Sequence, residues 1–152
     1  MSVVEIRTAV ESDLPRLRAV FRDSSWSNEG NRELLVEHPE FLELSANAVR
    51  EGRTRAAAIN GNIVGFASLA DATGRLELED LFVDPAFMRQ GVGRALIRDV
   101  AEQARRRGVR RVEVDANDHA LRFYEEVGFV ALERVALDHG TAVRMTLDVT
   151  PV

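Results

Sequence analysis

The chain has 152 residues, of which 45% are hydrophobic and 30% charged, with a formal net charge of −5 at pH 7. This length suits one domain with a sizeable core, so we expect a single domain over residues 1–152. The absence of cysteine excludes disulfides, thiolate metal sites and a cysteine nucleophile, and it fits a cytoplasmic protein. The acidic balance argues against nucleic-acid partners, and the lack of a long apolar run or a signal peptide argues against a membrane partner.

The N-terminal part of the chain predicts a strand, a helix and a loop. Residues 3–8 alternate apolar and polar side chains, as a strand does. Ser12 or Asp13 can cap the following helix, which we expect to end before a polar loop at residues 23–30. A second helical region is predicted over residues 31–49.

Two hairpins frame the rest of the chain. Strands over residues 53–59 and 63–69 are joined at Asn60-Gly61, a dipeptide typical of a tight turn. After the central stretch, residues 112–116 predict a strand, and a short helix follows it. The last two strands are expected at residues 129–137 and 141–147. Hairpins mixed with strand–helix–strand units indicate an α/β fold with a mixed sheet covered by helices.

Residues 76–83 predict a strand with an interrupted alternation. Leu76 and Leu78 share one face, whereas the apolar residues after them lie one position out of step. Either Asp80 points inward, or an extra residue forms a bulge near Glu79, as strands often do beside a site.

Residues 88–93, which we call the glycine turn, separate this strand from a helix. Gly91 and Gly93 let the backbone approach an anion, and the first helical N–H groups carry the positive end of the helix dipole. Arg89 and Arg94 add positive charge at the rim. The local pattern therefore fits a phosphate site, although a tight turn before an ordinary helix fits it equally well.

Two segments carry the spacing of a known family. The first reads Met88-Arg89-Gln90-Gly91-Val92-Gly93, with Met88 where the family has Gln or Arg. The second runs over residues 117–129 and holds Asn117, Ala120, Phe123-Tyr124 and Gly128-Phe129 at the motif positions. Together they resemble the GNAT superfamily of acetyl-CoA-dependent N-acetyltransferases. The resemblance implies one acetyltransferase domain with a mixed, mostly antiparallel sheet, splayed central strands and helices on both faces.

The resemblance also implies acetyl-CoA as the acetyl donor and no metal. In the family the end of the central strand pairs with the pantetheine arm, as an added peptide strand would. Asn117 can bond to the same arm, cap the short helix, or do both. The implied cofactor-binding residues are Leu81, Phe82, Val83, Met88, Arg89, Gln90, Gly91, Val92, Gly93, Arg94, Ala95, Asn117, Ala120 and Tyr124.

Acetyl transfer from a thioester to an amine makes three chemical demands. The amine must lose a proton, for which Glu77, Glu79 or Asp80 is the candidate base. The oxyanion needs N–H donors, which the backbone of residues 81–83 can supply. The leaving thiolate is helped by a proton, and the resemblance places Tyr124, the only tyrosine, at the sulfur. The alternatives are solvent-facing carboxylates and a core aromatic ring.

The sequence indicates the acetyl acceptor less clearly than the acetyl donor. The family shapes its acceptor site with the region between the first helix and the first hairpin, where Trp26 stands among serines and asparagines. Residues 23–51 contain seven acidic and two basic side chains, and Glu29, Glu33 and Glu37 recur every fourth residue. We therefore expect a small molecule, or a peptide, with a primary amine, attracted in part by Glu33. The alternative is a solvated helix face.

Two further expectations complete the interpretation. The alternative function is a non-catalytic module that binds or senses acyl-CoA. Members of the family often form dimers, so the resemblance also implies a homodimer. His38, His119 and His139 lie in loops or at a helix start without ligands at metal spacing, so we interpret them as surface residues.

Overall fold

The computed structural model describes residues 3–27, 36–37, 44, 46–137 and 140–149. Strands β1 to β7 are Val4–Thr8, Thr54–Ile59, Asn62–Ala72, Arg75–Val83, Arg111–Ala116, Val130–Leu137 and Gly140–Asp148. Helices α1 to α4 are Leu14–Ser27, Asn47–Arg50, Val92–Arg106 and Leu121–Glu126, with 3-10 turns at Glu11–Asp13 and Pro85–Phe87.

Within the described residues the strands form a seven-stranded sheet in the order β1-β2-β3-β4-β5-β7-β6. The pairs β1–β2, β2–β3, β5–β7 and β6–β7 are antiparallel. β4 and β5 pair in parallel over Leu76–Leu78 and Val112–Val114, a short contact of the kind that splayed central strands leave. The mixed, mostly antiparallel α/β fold expected from the sequence is thus confirmed.

The chain forms two compact units. The first comprises Met1–Ser68 and Asp80–Leu96, and the second comprises Leu69–Glu79 and Ile97–Val152. Each is described by itself below. The expectation of a single domain over residues 1–152 stays a prediction.

Helices cover both faces of the sheet in the first unit. Leu17 and Val20 of α1 are fully buried and pack in one cluster with Phe66 of β3. Gly65, the neighbour of Phe66, points to the opposite face, where the start of α3 approaches it. Because both faces are covered, β2 and most of β3 are buried almost continuously rather than at alternate positions.

The hairpin between β2 and β3 forms where the sequence predicts it. Asn60 and Gly61 have φ values of 52° and 81°, the left-handed conformation that such a two-residue turn requires. The register shifts between Ala57 and Ala58, a bulge that the sequence did not indicate.

The second unit buries one face of β5 against its neighbours. Val112, Val114 and Ala116 are buried and lie opposite Leu147, Met145 and Val143 of β7. Beyond β7, the edge strand β6 is exposed along almost its whole length.

Helix α3 presents the apolar face that the sequence predicts, since Val92, Leu96, Val100 and Ala104 are all buried. Its end is closed by Gly108 at φ 74°, with a hydrogen bond of 3.1 Å from the Val109 N–H to the Ala104 carbonyl. The three arginines before Gly108 pair with the carboxylates of Glu102 and Asp71, so this basic run lies in ion pairs at the end of the helix.

Two sequence-based boundaries are wrong. Helix α1 continues through Asp23 to Ser27, where a loop was expected, because packing overrides the weak helix propensity of serine: Ser25 is only 7% exposed. Strand β3 continues to Ala72, beyond the predicted end at Leu69, and Asp71 within it pairs with Arg107 at 3.1 Å.

Most of the predicted helical region at residues 31–49 lies outside the described residues, and α2 covers its end. Among the described helices, none combines the length and the apolar character needed to cross a membrane.

Candidate active site

The glycine turn has a strained backbone. Arg89 adopts φ 64° and Gly91 adopts φ 81°, and side chains are disfavoured in this region of conformational space. A Cβ on Gly91 would meet nothing within 4 Å, so glycine is required here by the backbone conformation and not by lack of space. The side chains of Met88, Arg89 and Gln90 are exposed.

Helix α3 begins within this turn, at Val92. Its first hydrogen bond runs from the Ala95 N–H to the Gly91 carbonyl at 3.0 Å, so Ala95 is the first residue whose N–H finds its acceptor in the helical ladder. Val92 is 1% exposed and anchors the first turn, whereas Arg94 is exposed. This arrangement presents backbone donors and positive charge to an anion.

Gly65 of β3 lets the start of α3 approach the sheet, which sequence reasoning missed. A Cβ at Gly65 would lie 3.0 Å from the Phe82 carbonyl oxygen and 3.0 Å from Val92 Cγ1. Real Cβ atoms rarely come so close, so the position requires glycine. An isolated glycine inside a strand is a signal for such a close approach.

Asp84 and Arg16 hold the segment between β4 and the turn, and sequence reasoning missed this pair too. Asp84 Oδ2 accepts a hydrogen bond from Arg16 Nη2 at 2.6 Å, and Oδ1 accepts one from the Ala86 N–H at 3.0 Å. Asp84 has φ −55° and ψ 125°, outside the helical region, as a residue before proline favours. The only sequence signal was an Asp–Pro pair at a strand end.

Phe82 fixes the end of β4 in the first unit. Its ring lies edge-on to Phe21 at 4.9 Å and tilted against Phe66 at 5.6 Å between centroids. Leu81 and Val83 beside it are half-buried. The backbone of the proposed oxyanion donors is thereby held by aromatic packing.

Tyr124 is buried in an aromatic group of the second unit. It is 6% exposed, and its ring lies edge-on to Phe123 and to Phe129 at 5.3 Å and 5.2 Å. Gly128 at φ 106° ends α4, and the Phe129 N–H donates to the Tyr124 carbonyl at 2.9 Å. This packing holds the phenol ring in one orientation, which both a core role and a proton donor require.

Asn117 and Ala120 are connected directly in the second unit. The Ala120 N–H donates to Asn117 Oδ1 at 3.0 Å, so the Asn117 side chain closes the turn before α4. The N-cap of α4 is Ala120, which has no side-chain cap bond, so the cap predicted at Asn117 is wrong. The Asn117 side chain is exposed. The bond occupies the amide oxygen, and a role for the amide in binding the pantetheine arm stays a prediction.

The strand carboxylates have different surroundings. Glu77 Oε1 accepts a hydrogen bond from Arg75 Nη2 at 2.9 Å, and Arg75 Nε also lies 3.6 Å from Glu113 Oε1 on β5. Glu79 is exposed, whereas Asp80 is half-buried, as expected if Asp80 points inward. The choice of general base among these residues stays a prediction.

Several predicted residues are not described by the structure. Glu33, Glu29, His38 and His139 lie outside the described residues, and Trp26 belongs to α1 without a described side chain. His119 is exposed. Among the residues that the structure describes, no group of three or more His, Cys, Asp or Glu side chains could hold a metal ion.

Comparisons with known proteins identify the family of this chain. Residues 16–129 match the model of the Acetyltransferase (GNAT) family. The chain is 35% identical over 115 residues to glucosamine 6-phosphate N-acetyltransferase of Trypanosoma brucei brucei, a match that covers 66% of this chain and 78% of the relative. It is also 35% identical over 113 residues to N-alpha-acetyltransferase RimI of Mycobacterium tuberculosis, covering 70% and 60%.

A solved structure has the same fold. The PaiA N-acetyltransferase of Thermoplasma acidophilum in complex with coenzyme A superposes with a TM-score of 0.80 at 19% identity, covering 96% of this chain and 99% of that one. The chain therefore belongs to the Acetyltransferase (GNAT) family and is an acyltransferase.

Proposed function

We propose that this enzyme transfers the acetyl group of acetyl-CoA to a primary amine by direct attack within a ternary complex. The observation that carries the proposal is the glycine turn, where Arg89 and Gly91 hold left-handed conformations directly before the first turn of α3. Such a turn suits the pyrophosphate of coenzyme A, because it combines backbone donors with the helix dipole. Arg89 and Arg94 add charge to the same rim.

The chemistry divides among residues of both motifs. A carboxylate among Glu77, Glu79 and Asp80 takes the proton from the ammonium, and the amine then attacks the thioester carbon. Backbone N–H groups of residues 81–83 stabilise the oxyanion. When the C–S bond breaks, Tyr124 gives a proton to the departing thiolate, which leaves as free coenzyme A. The resulting phenolate then takes the remaining extra proton from the nitrogen, which gives the neutral amide and restores Tyr124.

The proposed acceptor is a small molecule with a cationic amine, with a peptide amine as the alternative. Of the two curated relatives named above, one is a glucosamine 6-phosphate N-acetyltransferase and the other an N-alpha-acetyltransferase, so relatives at the same identity differ in their acceptors. The acidic balance of residues 23–51 favours the cation, and Trp26 and Glu33 stay predicted contacts.

Calorimetry with acetyl-CoA tests the glycine turn. Gly93→Glu places a negative side chain in the proposed phosphate site and should abolish measurable binding, while the neutral, similarly sized Gly93→Gln separates repulsion from bulk. Equal affinities of the wild type and Gly93→Glu for acetyl-CoA would contradict the assignment of the phosphate site to the glycine turn.

Release of free thiol over a panel of amines, amino acids, antibiotics and peptides tests the reaction. Turnover with at least one amine is expected. Binding of acetyl-CoA without turnover on any acceptor would favour the non-catalytic acyl-CoA module instead. A cytoplasmic location stays a prediction, which cell fractionation checks.

We also propose that the enzyme forms a homodimer through β6. This edge strand exposes seven of its eight residues, including Val130, Leu132 and Leu137 at 63%, 55% and 51%. Its sequence, Val-Ala-Leu-Glu-Arg-Val-Ala-Leu, complements itself in the antiparallel sense. About a two-fold axis, Glu133 of one copy faces Arg134 of the other, and Leu132 faces Val135. The register of β6 on β7 shifts between Ala131 and Glu133, so the regular ladder runs from Glu133 to Leu137.

Charge reversal tests this interface. Glu133→Arg and Arg134→Glu each place like charges across the axis, so each variant should be monomeric by light scattering after size-exclusion chromatography. The double variant, and an equimolar mixture of the two single variants, restore opposite charges and should dimerise. Unchanged mass in all four samples would contradict the interface.

A further inference from the structure

Asp84 is a nearly buried carboxylate at the end of β4, with 8% of its surface exposed. Its backbone N–H donates to the Val64 carbonyl at 2.8 Å, and its own carbonyl accepts from the Phe87 N–H at 2.8 Å. Together with the bond from the Ala86 N–H, these contacts fix the chain direction through the 3-10 turn at Pro85–Phe87. The backbone that leads into the glycine turn is therefore held at one residue, Asp84, by two backbone hydrogen bonds and one side-chain hydrogen bond.

Arg16 supplies the charge that this carboxylate requires. Its Nη2 lies 2.6 Å from Asp84 Oδ2, and its Nε donates to the Ile63 carbonyl at 2.8 Å. One guanidinium thus joins α1 to the start of β3 and to the end of β4. A buried carboxylate without a partner is strongly unfavourable, so loss of Arg16 would favour movement of Asp84 towards water.

The strained turn needs support at both ends. Arg89 at φ 64° occupies a conformation that persists only when its surroundings determine it. Val92, 1% exposed, fixes the helical end of the turn, and Asp84 fixes the chain before the turn. The Arg16–Asp84 pair lies within the first unit, as the turn itself does.

We propose that Arg16 and Asp84 are positioning residues that hold the glycine turn in the conformation that binds the pyrophosphate of coenzyme A. The inference rests on the proposed function, because it assigns the pyrophosphate to this turn. Neither side chain needs to touch the ligand. They act through the backbone of residues 84–91, whose donors must be in place before the anion arrives.

Two ligands separate this role from general stability. Acetyl-CoA carries the pyrophosphate, whereas S-acetylpantetheine has the same thioester arm and no phosphate. Asp84→Asn keeps an acceptor for the Ala86 N–H and removes the charge that Arg16 binds. Affinity for acetyl-CoA should fall by roughly tenfold, a size seen when a group that orients a ligand-binding residue is lost, with S-acetylpantetheine unaffected.

The Arg7–Asp13 pair provides a matched control. It lies in the same unit, has the same chemistry and a similar distance of 2.8 Å, and joins β1 to the turn before α1. Asp13→Asn should lower stability without changing the affinity for either ligand. Arg16→Lys, which keeps the charge but not the fork geometry, should weaken acetyl-CoA binding less than Asp84→Asn does.

Equal affinities of Asp84→Asn and the wild type for acetyl-CoA would overturn the proposal, as would an equal loss for both ligands. Should Asp84→Asn not fold, Arg16→Lys and Arg16→Gln give the same comparison. Failure of the wild type to bind acetyl-CoA more tightly than S-acetylpantetheine would instead refute the pyrophosphate assignment itself.

Discussion

The glycine turn and helix α4, which carries Tyr124, are both short motifs. The first depends on the conformation of its backbone, and the second depends on one side chain. In the turn the side chains of Met88, Arg89 and Gln90 are exposed, and what is constrained is the backbone. At Tyr124 the ring is 6% exposed, and what is constrained is a single side chain. The comparison explains why Met88 can replace the family's Gln or Arg, whereas Tyr124 has no substitute of equal chemistry nearby.

The largest expected effect is at Tyr124. Tyr124→Phe keeps the packing against Phe123 and Phe129 and removes the proposed proton donor, so kcat should fall by roughly 10²–10⁴-fold, the range for one acid–base group. The affinity for acetyl-CoA should change little. Rapid-quench kinetics, which isolate the chemical step, provide the measurement. Unchanged chemistry would make Tyr124 a packing residue.

The role of the backbone conformation is tested with two glycines, one at each end of α3. Gly91 and Gly108 have φ values of 81° and 74°, and in both cases a Cβ would meet nothing within 4 Å. Alanine at either position should cost about 1 kcal/mol of stability, because both side chains enter the left-handed region. Only Gly91→Ala should also weaken acetyl-CoA binding, by several-fold. Equal affinity in both variants would show that the turn conformation does not matter for binding.

A moderate effect is expected for the predicted acidic face. Glu33→Gln combined with Glu37→Gln should lower kcat/KM for a cationic amine by about two- to fivefold and leave a neutral analogue unaffected, since charge steering acts on the cation alone. Added salt should shrink the difference. An equal change in kcat/KM for both acceptors would show that these glutamates face solvent and do not attract the substrate.

The smallest effect concerns acid stability in the first unit. The hydrogen bond from Arg7 lowers the pKa of Asp13 below its ordinary value of 3.8, and a hydrogen bond from the Val10 N–H acts in the same direction. The ionised form is therefore stabilised by folding, so the contribution is present above pH 3.8 and is lost as the pH falls through the folded pKa. Asp13→Asn should lower the free energy of unfolding by up to about 1 kcal/mol at pH 7. Urea titrations of both proteins should converge at low pH, and a constant gap would contradict the assignment.

Local sequence determined much of this protein. Asn60-Gly61 specified its hairpin, the repeat from Val92 to Ala104 specified the buried face of α3, and Gly108 specified its end, because each depends on backbone preference or periodicity within a few residues. The two motifs identified the family for the same reason. Their spacing needs no knowledge of distant contacts.

Only the tertiary structure decided the remaining features. Gly65 is required by Val92, which lies 27 positions away in the sequence, and Arg16 binds Asp84 across 68 positions. Helix α1 extends to Ser27 because packing compensates for the weak propensity of its polar end. Such contacts depend on which elements meet in space, and no local pattern of residues encodes that.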